Sequence, residues 1–142
     1  MSYNLTRFKN AQEGVYSRAL AEIRSGRKRS HWIWYIFPQI RGLGMSSTSQ
    51  YYGIENLEEA RAYLEDPVLG PRLLEISHAL LELDTDSAGE VFGYPDDLKL
   101  RSCMTLFSCA DENNRVFTDV LDKFYGGQPD RMTLEILDRQ NF

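Results

Sequence analysis

Helix start and stop signals recur at short intervals along this chain, and the apolar residues between them keep helical spacing. In residues 6–25, Phe8, Gln12, Val15, Tyr16, Ala19, Leu20 and Ile23 share a helical face, and Gly26 stands where such a helix stops. Ser30 is placed to cap a short helix carrying His31 to Phe37, which Pro38 ends by restricting Phe37. Asn56 followed by Glu59 is a cap with a glutamate three residues on, predicting a helix over 57–65. Asp66-Pro67 opens the next, whose start Pro71 can delay by a turn; Leu69, Leu73, Leu74, Ile76, Leu80, Leu81 and Leu83 form its stripe. Ser87 with Glu90 repeats the capping pattern, and Gly93 closes that piece. A helix follows Tyr94-Pro95, with Leu98, Arg101, Ser102, Thr105, Leu106 and Cys109 as its expected face. Val116, Val120, Leu121 and Phe124 mark another, stopped at Gly126-Gly127, and Asp130 caps a last helix through Leu134, Ile136 and Leu137.

No alternating strand interrupts this series, and there is no repeat or low-complexity linker. The expectation is an all-α fold, one compact domain over residues 1–142 with roughly six to eight helices, several of them short. A chain of 142 residues is long enough for one real core. Its formal net charge of -5 argues against general affinity for nucleic acid or anionic membrane. No apolar run approaches a membrane span, and the start, Met-Ser-Tyr-Asn-Leu-Thr-Arg, lacks the apolar core of a signal peptide, so a cytoplasmic location is expected. Cys103 and Cys109 fall on different faces of one helix, too far apart to bridge, and lack neighbours for a metal site. No bound cofactor is expected.

One segment departs from plain packing. Residues 28–54 hold both tryptophans with Tyr35, Phe37, Tyr51 and Tyr52, and interleave them with glycines, hydroxyl residues and a proline. Rings around a few placed polar groups are the usual make-up of a ligand pocket. Along a helix Trp34 and Phe37 share one side, and Trp32, Tyr35 and Ile36 another; one side must be core, and the other could stack on a planar ligand. Glycines at 42 and 44 allow close backbone approach, and Ser46-Ser-Thr-Ser49 is either a capped turn or an anion cradle. It has neither the P-loop ending nor a preceding strand for a dinucleotide fingerprint. On the later helix, Asp97 and Arg101 are spaced as a surface pair, and Ser102 with Thr105 makes a small polar face suited to a ligand or to tight packing.

The order Ser30-His-Trp-Ile-Trp-Tyr-Ile-Phe-Pro-Gln39, Gly42-Leu-Gly44 and Ser49-Gln-Tyr-Tyr-Gly-Ile54 resembles the family filed as domain of unknown function 1810. Asp66-Pro-Val-Leu-Gly-Pro-Arg-Leu73 and Phe92-Gly-Tyr-Pro-Asp-Asp-Leu-Lys-Leu-Arg-Ser-Cys-Met-Thr-Leu-Phe107 resemble further blocks of it. The resemblance covers nearly the whole chain. It implies a compact, mainly helical fold, similar to small mycobacterial hypothetical proteins, and no established reaction. Members often carry the label calpastatin, but such an inhibitor is disordered and Pro-rich, whereas this chain has five prolines and a full set of helix faces.

The leading expectation is therefore an aromatic-walled pocket for a small planar or anionic ligand, nucleotide-like compounds included. Its candidate residues are Lys28, Trp32, Tyr35, Gln39, Ser47, Ser49, Tyr52, Lys99 and Ser102: lysines for negative charge, rings for stacking, hydroxyls and the amide for orientation. His31 is the best acid–base candidate should a reaction occur, although no orienting carboxylate is visible beside it and a capping role accounts for it equally. His78 reads as a helix-surface residue. The alternative is an interaction module or homo-oligomer that uses residues 28–54 as its interface. Concavity separates the two readings.

Overall fold

The computed structural model describes residues 3–140. Among them are ten helices: α1 (Thr6–Gln12), α2 (Tyr16–Arg24), α3 (Ile33–Ile36), α4 (Ser47–Tyr51), α5 (Leu57–Glu65), α6 (Leu69–Leu81), α7 (Ala88–Phe92), α8 (Asp96–Ala110), α9 (Val116–Tyr125) and α10 (Arg131–Arg139). The all-α class agrees with the sequence; the count exceeds the six to eight expected. One added break lies inside residues 6–25. There Gly14 takes a left-handed φ of 72°, and the chain turns between α1 and α2 although the apolar face continues across the turn. Phe8, Gln12, Ala19, Leu20 and Ile23 are buried on that face. The only β-type pairing among the described residues is one parallel bridge, Ile40 with Ile54.

Capping chemistry sets several of the starts. The Asn56 side chain accepts the Glu59 amide at 2.8 Å, Ser87 accepts that of Glu90 at 3.1 Å, and Asp130 accepts that of Thr133 at 2.9 Å. Asp66 accepts the amides of Val68 and Leu69 at 2.9 and 3.0 Å. Pro71 does not delay α6, because it occupies the first turn, where a backbone N–H has no partner within the helix. Ser30 departs from its expected part: α3 begins at Ile33, and no side chain caps it.

Helix α8 forms the centre, with α3, α5, α7, α9 and α10 packed around it, while α6 ties α5 and α9 to α2. Its buried residues, Leu100, Ser102, Cys103, Met104, Thr105, Leu106, Phe107 and Ala110, occupy nearly its whole circumference. A helix enclosed on all sides has no single apolar stripe to read. For that reason the face expected from sequence was misplaced, and Leu98 is exposed. A row of rings, edge-to-face at its first pair and tilted at the next two, crosses the molecule through this helix. Phe8 meets Tyr63 at 5.2 Å, Tyr63 meets Phe107 at 5.4 Å, and Phe107 meets Phe117 at 5.8 Å between centroids. The buried Gln12 amide donates to Tyr63 Oη at 3.0 Å and to the Tyr35 carbonyl at 2.8 Å, while its oxygen accepts from Arg72 at 3.1 Å. An isolated polar group in this core would cost stability; this one is satisfied.

The turn between α5 and α6 is too tight for any side chain at position 70. A Cβ built on Gly70 would lie 2.0 Å from the Leu64 carbonyl oxygen. Gly70→Ala should therefore lower stability by about 1–3 kcal/mol, the usual range for overpacking. Urea unfolding followed by circular dichroism measures this, and a midpoint equal to that of the parent would show that the two helices separate freely.

Candidate functional site

Residues 39–54 form a closed loop. Arg41 N–H donates to the Ile54 carbonyl at 2.8 Å, and Ile54 N–H donates to the Gln39 carbonyl at 2.8 Å, so the bridge pins both ends. Gly53 lies against Arg41 so closely that a Cβ there would meet Arg41 Cα at 2.8 Å. Carbonyls at the end of α4 are taken up by two arginines. Arg7 donates to those of Tyr51 at 2.9 Å and Gly53 at 3.1 Å, and Arg41 to those of Gln50 at 3.1 Å and Gly53 at 3.1 Å. Arg7 is fixed in turn by Glu59 at 3.2 Å, a pair almost removed from solvent. Ser46 caps α4 by accepting the Ser49 amide at 3.1 Å, and Ser49 Oγ turns back to the Ser46 carbonyl at 2.9 Å. The hydroxyl run is thus a capped turn, with these donors and acceptors engaged by the backbone.

A second group of polar contacts orders residues 27–32. Glu22 on α2 accepts the amides of Arg29 at 2.7 Å and Ser30 at 3.1 Å, the Ser30 hydroxyl at 2.6 Å and the Trp32 indole N–H at 2.9 Å. Burial disfavours its charge, but these bonds outweigh that and lower its pKa from 4.5 to about 2. Trp32 is held in the core against Phe37 and Phe92. Lys28 Nζ lies 5.0 Å from the Trp32 ring centroid, donates to the Ser30 carbonyl at 2.6 Å and pairs with Asp96 at 2.9 Å. Asp96 also faces Lys99, at 3.5 Å, and Lys99 Nζ sits 4.9 Å from the centroid of Trp34.

Between these two constructions and α10 lies a cavity of about 390 Å³. Three stretches of chain converge on it: Trp34 with residues 39–53, the start of α8 through Pro95, Leu98, Lys99 and Ser102, and Asp130 with Met132. Thr105 places the third, since its hydroxyl accepts the Asp130 amide at 2.8 Å while donating to the Arg101 carbonyl at 2.8 Å. Arg101 forms no surface pair with Asp97. It donates to the Gln128 carbonyl at 2.9 Å and lies over the Tyr125 ring, tying α8 to the end of α9. Tyr52 enters the wall beside Tyr35, 5.2 Å between centroids; burial, then the neighbouring Tyr51, raise its hydroxyl pKa, so it remains a neutral donor.

Of the residues singled out from sequence, Gln39, Ser49, Tyr52, Lys99 and Ser102 line this cavity. Lys28 and Trp32 do not. Trp32 is fully buried, with no ring face left for a ligand, and the Lys28 charge is spent on Asp96. Tyr35 packs half-buried behind Tyr52 with its hydroxyl turned to the His31 carbonyl at 3.3 Å, and Ser47 is exposed on the outer side of α4. His31 is exposed, lies outside the cavity and pairs with no carboxylate among the described residues. Of the two tryptophans, Trp34 is the one that lines the cavity. Sequence reasoning missed Leu43, Met45, Pro95, Asp130 and Met132. Asp130 and Met132 carry no local signal beyond a helix cap, because only the packing of α10 on α8 brings them here. Cys103 is buried on α8, where burial pushes its thiol well up, and neither cysteine is bridged.

A family model described as "Protein of unknown function (DUF1810)" matches residues 2–137. Among solved structures, the conserved hypothetical protein Rv1873 from Mycobacterium tuberculosis is similar at 49% identity and a TM-score of 0.94, over 96% of this chain and 97% of that one. No curated protein matches. Among the described residues, no helix is long and apolar enough to cross a membrane.

The Glu22 carboxylate gives the site a pH dependence with a definite sign. Its folded pKa is depressed, so the stability it adds is present above the unfolded value of 4.5 and is lost as pH falls towards about 2. Glu22→Gln should lower the melting temperature at neutral pH, and the gap from the parent should close on acidification through that window. Paired thermal melts from neutral pH to pH 2.5 check this; a gap independent of pH would exclude the charged hub.

Proposed function

The chain belongs to the family of proteins of unknown function DUF1810, and from that premise we propose that it is a cytosolic binding protein for a small planar or anionic ligand, held in the cavity between α4, α8 and α10. One observation carries this reading: three separated stretches of chain converge on a single concave, mostly apolar space with a few polar groups at its wall. Trp34 and Tyr52 supply ring surface, Lys99 positive charge and the Gln39 amide an orienting group, while the Ser49 and Ser102 hydroxyls, whose protons go to backbone carbonyls, offer acceptors. The unbridged cysteines suit a reducing compartment.

An interaction module built on residues 28–54 would require a flat apolar patch. What favours the ligand reading is that Trp32, Ile33, Ile36 and Phe37 are buried in the core while Trp34, Gln39, Leu43, Met45, Ser49 and Tyr52 line a concave wall. Catalysis draws no support from His31, which lies apart from the cavity.

A thermal-shift screen of planar and anionic metabolites tests the proposal. A compound present at a hundred times its Kd should stabilise the fold by about 2.7 kcal/mol. Ser49→Trp, which fills the cavity from α4, should abolish the shift, whereas His31→Ala should leave it intact. A hit that survives Ser49→Trp would place binding elsewhere.

A further inference from the structure

Resting on that cavity being a ligand site, its charges and the ordering of its lining by depth define the kind of ligand. The charge count is small. Among the described residues, Lys99 is the single cation of the lining and Asp130 the single acid. Asp130 is already engaged, with one carboxylate oxygen accepting the Thr133 amide at 2.9 Å and its hydroxyl at 2.6 Å. Asp96 divides its charge between Lys28 at 2.9 Å and Lys99 at 3.5 Å, so the three groups together keep one net positive charge, and Lys99 is the more exposed and the more loosely held end. One cation at this wall matches one negative charge. A polyphosphate would bring several charges beside the Asp130 carboxylate with no further lysine or arginine to meet them.

Depth supplies the second constraint. Ile40 and Ser102 are deep in the cavity, 2% and 6% exposed, whereas Met45, Leu98 and Met132 are 86%, 47% and 53% exposed. These three come from the loop before α4, from α8 and from α10, and all three line the same mouth. Exposed apolar side chains scattered singly need no explanation, but a collar drawn from three parts of the chain around one opening is a surface waiting to be covered. Unbranched methionines suit an adaptable apolar fit. Of the polar groups, Ser102 is buried and Gln39 and Lys99 are half-buried, each less exposed than the three apolar side chains.

We infer that the ligand is an amphipathic monoanion: a carboxylic acid with an aromatic or alkyl body. Its carboxylate enters first, pairs with Lys99 and is oriented by the Gln39 amide. Its body lies along Trp34 and emerges between Met45, Leu98 and Met132. This arrangement uses the one free charge and covers the collar, whereas a nucleoside monophosphate would bring a second negative charge with no second cation in the lining to meet it.

The test compares 2-naphthoate with its neutral amide, 2-naphthamide, and with AMP, each titrated into the ¹⁵N-labelled protein while the Trp34 indole signal is followed. The acid should bind roughly ten- to hundredfold more tightly than the amide, the range expected for a hydrogen bond to a charged group. Lys99→Met should remove that preference while leaving the amide's affinity nearly unchanged. Met45→Ser should weaken acid and amide alike. Equal affinity of acid and amide, a preference for the acid that survives Lys99→Met, or AMP binding more tightly than the acid would each overturn the monoanion while leaving the cavity as a binding site. If none of the three probes moves the Trp34 signal or its neighbours, the cavity reading falls and this inference falls with it.

Discussion

The Glu22 carboxylate governs more of this structure than any other single group. It lies on α2, but the donors it gathers belong to the chain that follows, and by gathering them it stops residues 27–32 from wandering. An anion that accepts four hydrogen bonds needs no counter-ion close by, because the dipoles of amides, hydroxyl and indole spread the compensation. The consequences run outward in order. Trp32 is drawn into the core, Lys28 is left above its ring, Asp96 is drawn to Lys28, and the first turn of α8 takes its place. Lys99 faces the cavity as the last link in that chain. Its position therefore depends on a carboxylate two helices away that does not itself line the cavity.

The division of the aromatic segment explains how much could be read from sequence. Caps at Asn56, Ser87 and Asp130 were legible because each is a local device, a side chain bonding an amide a few residues on. The stripe of α6 was legible because that helix has one buried side. Helix α8 was not, since enclosure on all sides erases periodicity, and the break at Gly14 was hidden because the apolar face continues across it. For Trp32 and Trp34 the sequence gives two sides of a short helix without saying which is core. The answer rests on Glu22, ten residues upstream, whose bond to the Trp32 indole has no sequence signature.

The candidate site shows the same limit. Gln39, Ser49 and Tyr52 drew notice because they sit in a segment of unusual composition, and Lys99 and Ser102 because they interrupt an apolar helix. His31 drew notice as a titratable residue placed after a cap and beside the rings, and the fold turns it to solvent. Met45 and Met132 had no claim on attention, and Leu98 read only as part of a packing face, since a lone apolar residue in a loop or on a helix says nothing until its neighbours across the fold are known. Most of the polar residues lining the cavity announce themselves in the sequence, while its mouth is a product of tertiary packing.

The closed loop of residues 39–54 carries one more consequence. Its ends are fastened by the Ile40–Ile54 bridge and its carbonyls by Arg7 and Arg41, and all of these anchors lie at or outside its base. Of the intervening residues, only Leu43 and Tyr52 pack against the core. Lengthening such a loop is cheap, since doubling its length adds only about 0.6 kcal/mol of closure entropy. The fold thus keeps a replaceable rim on a fixed base. Relatives could retune what the cavity admits by exchanging residues 42–50 alone, leaving the helical frame that supports it untouched.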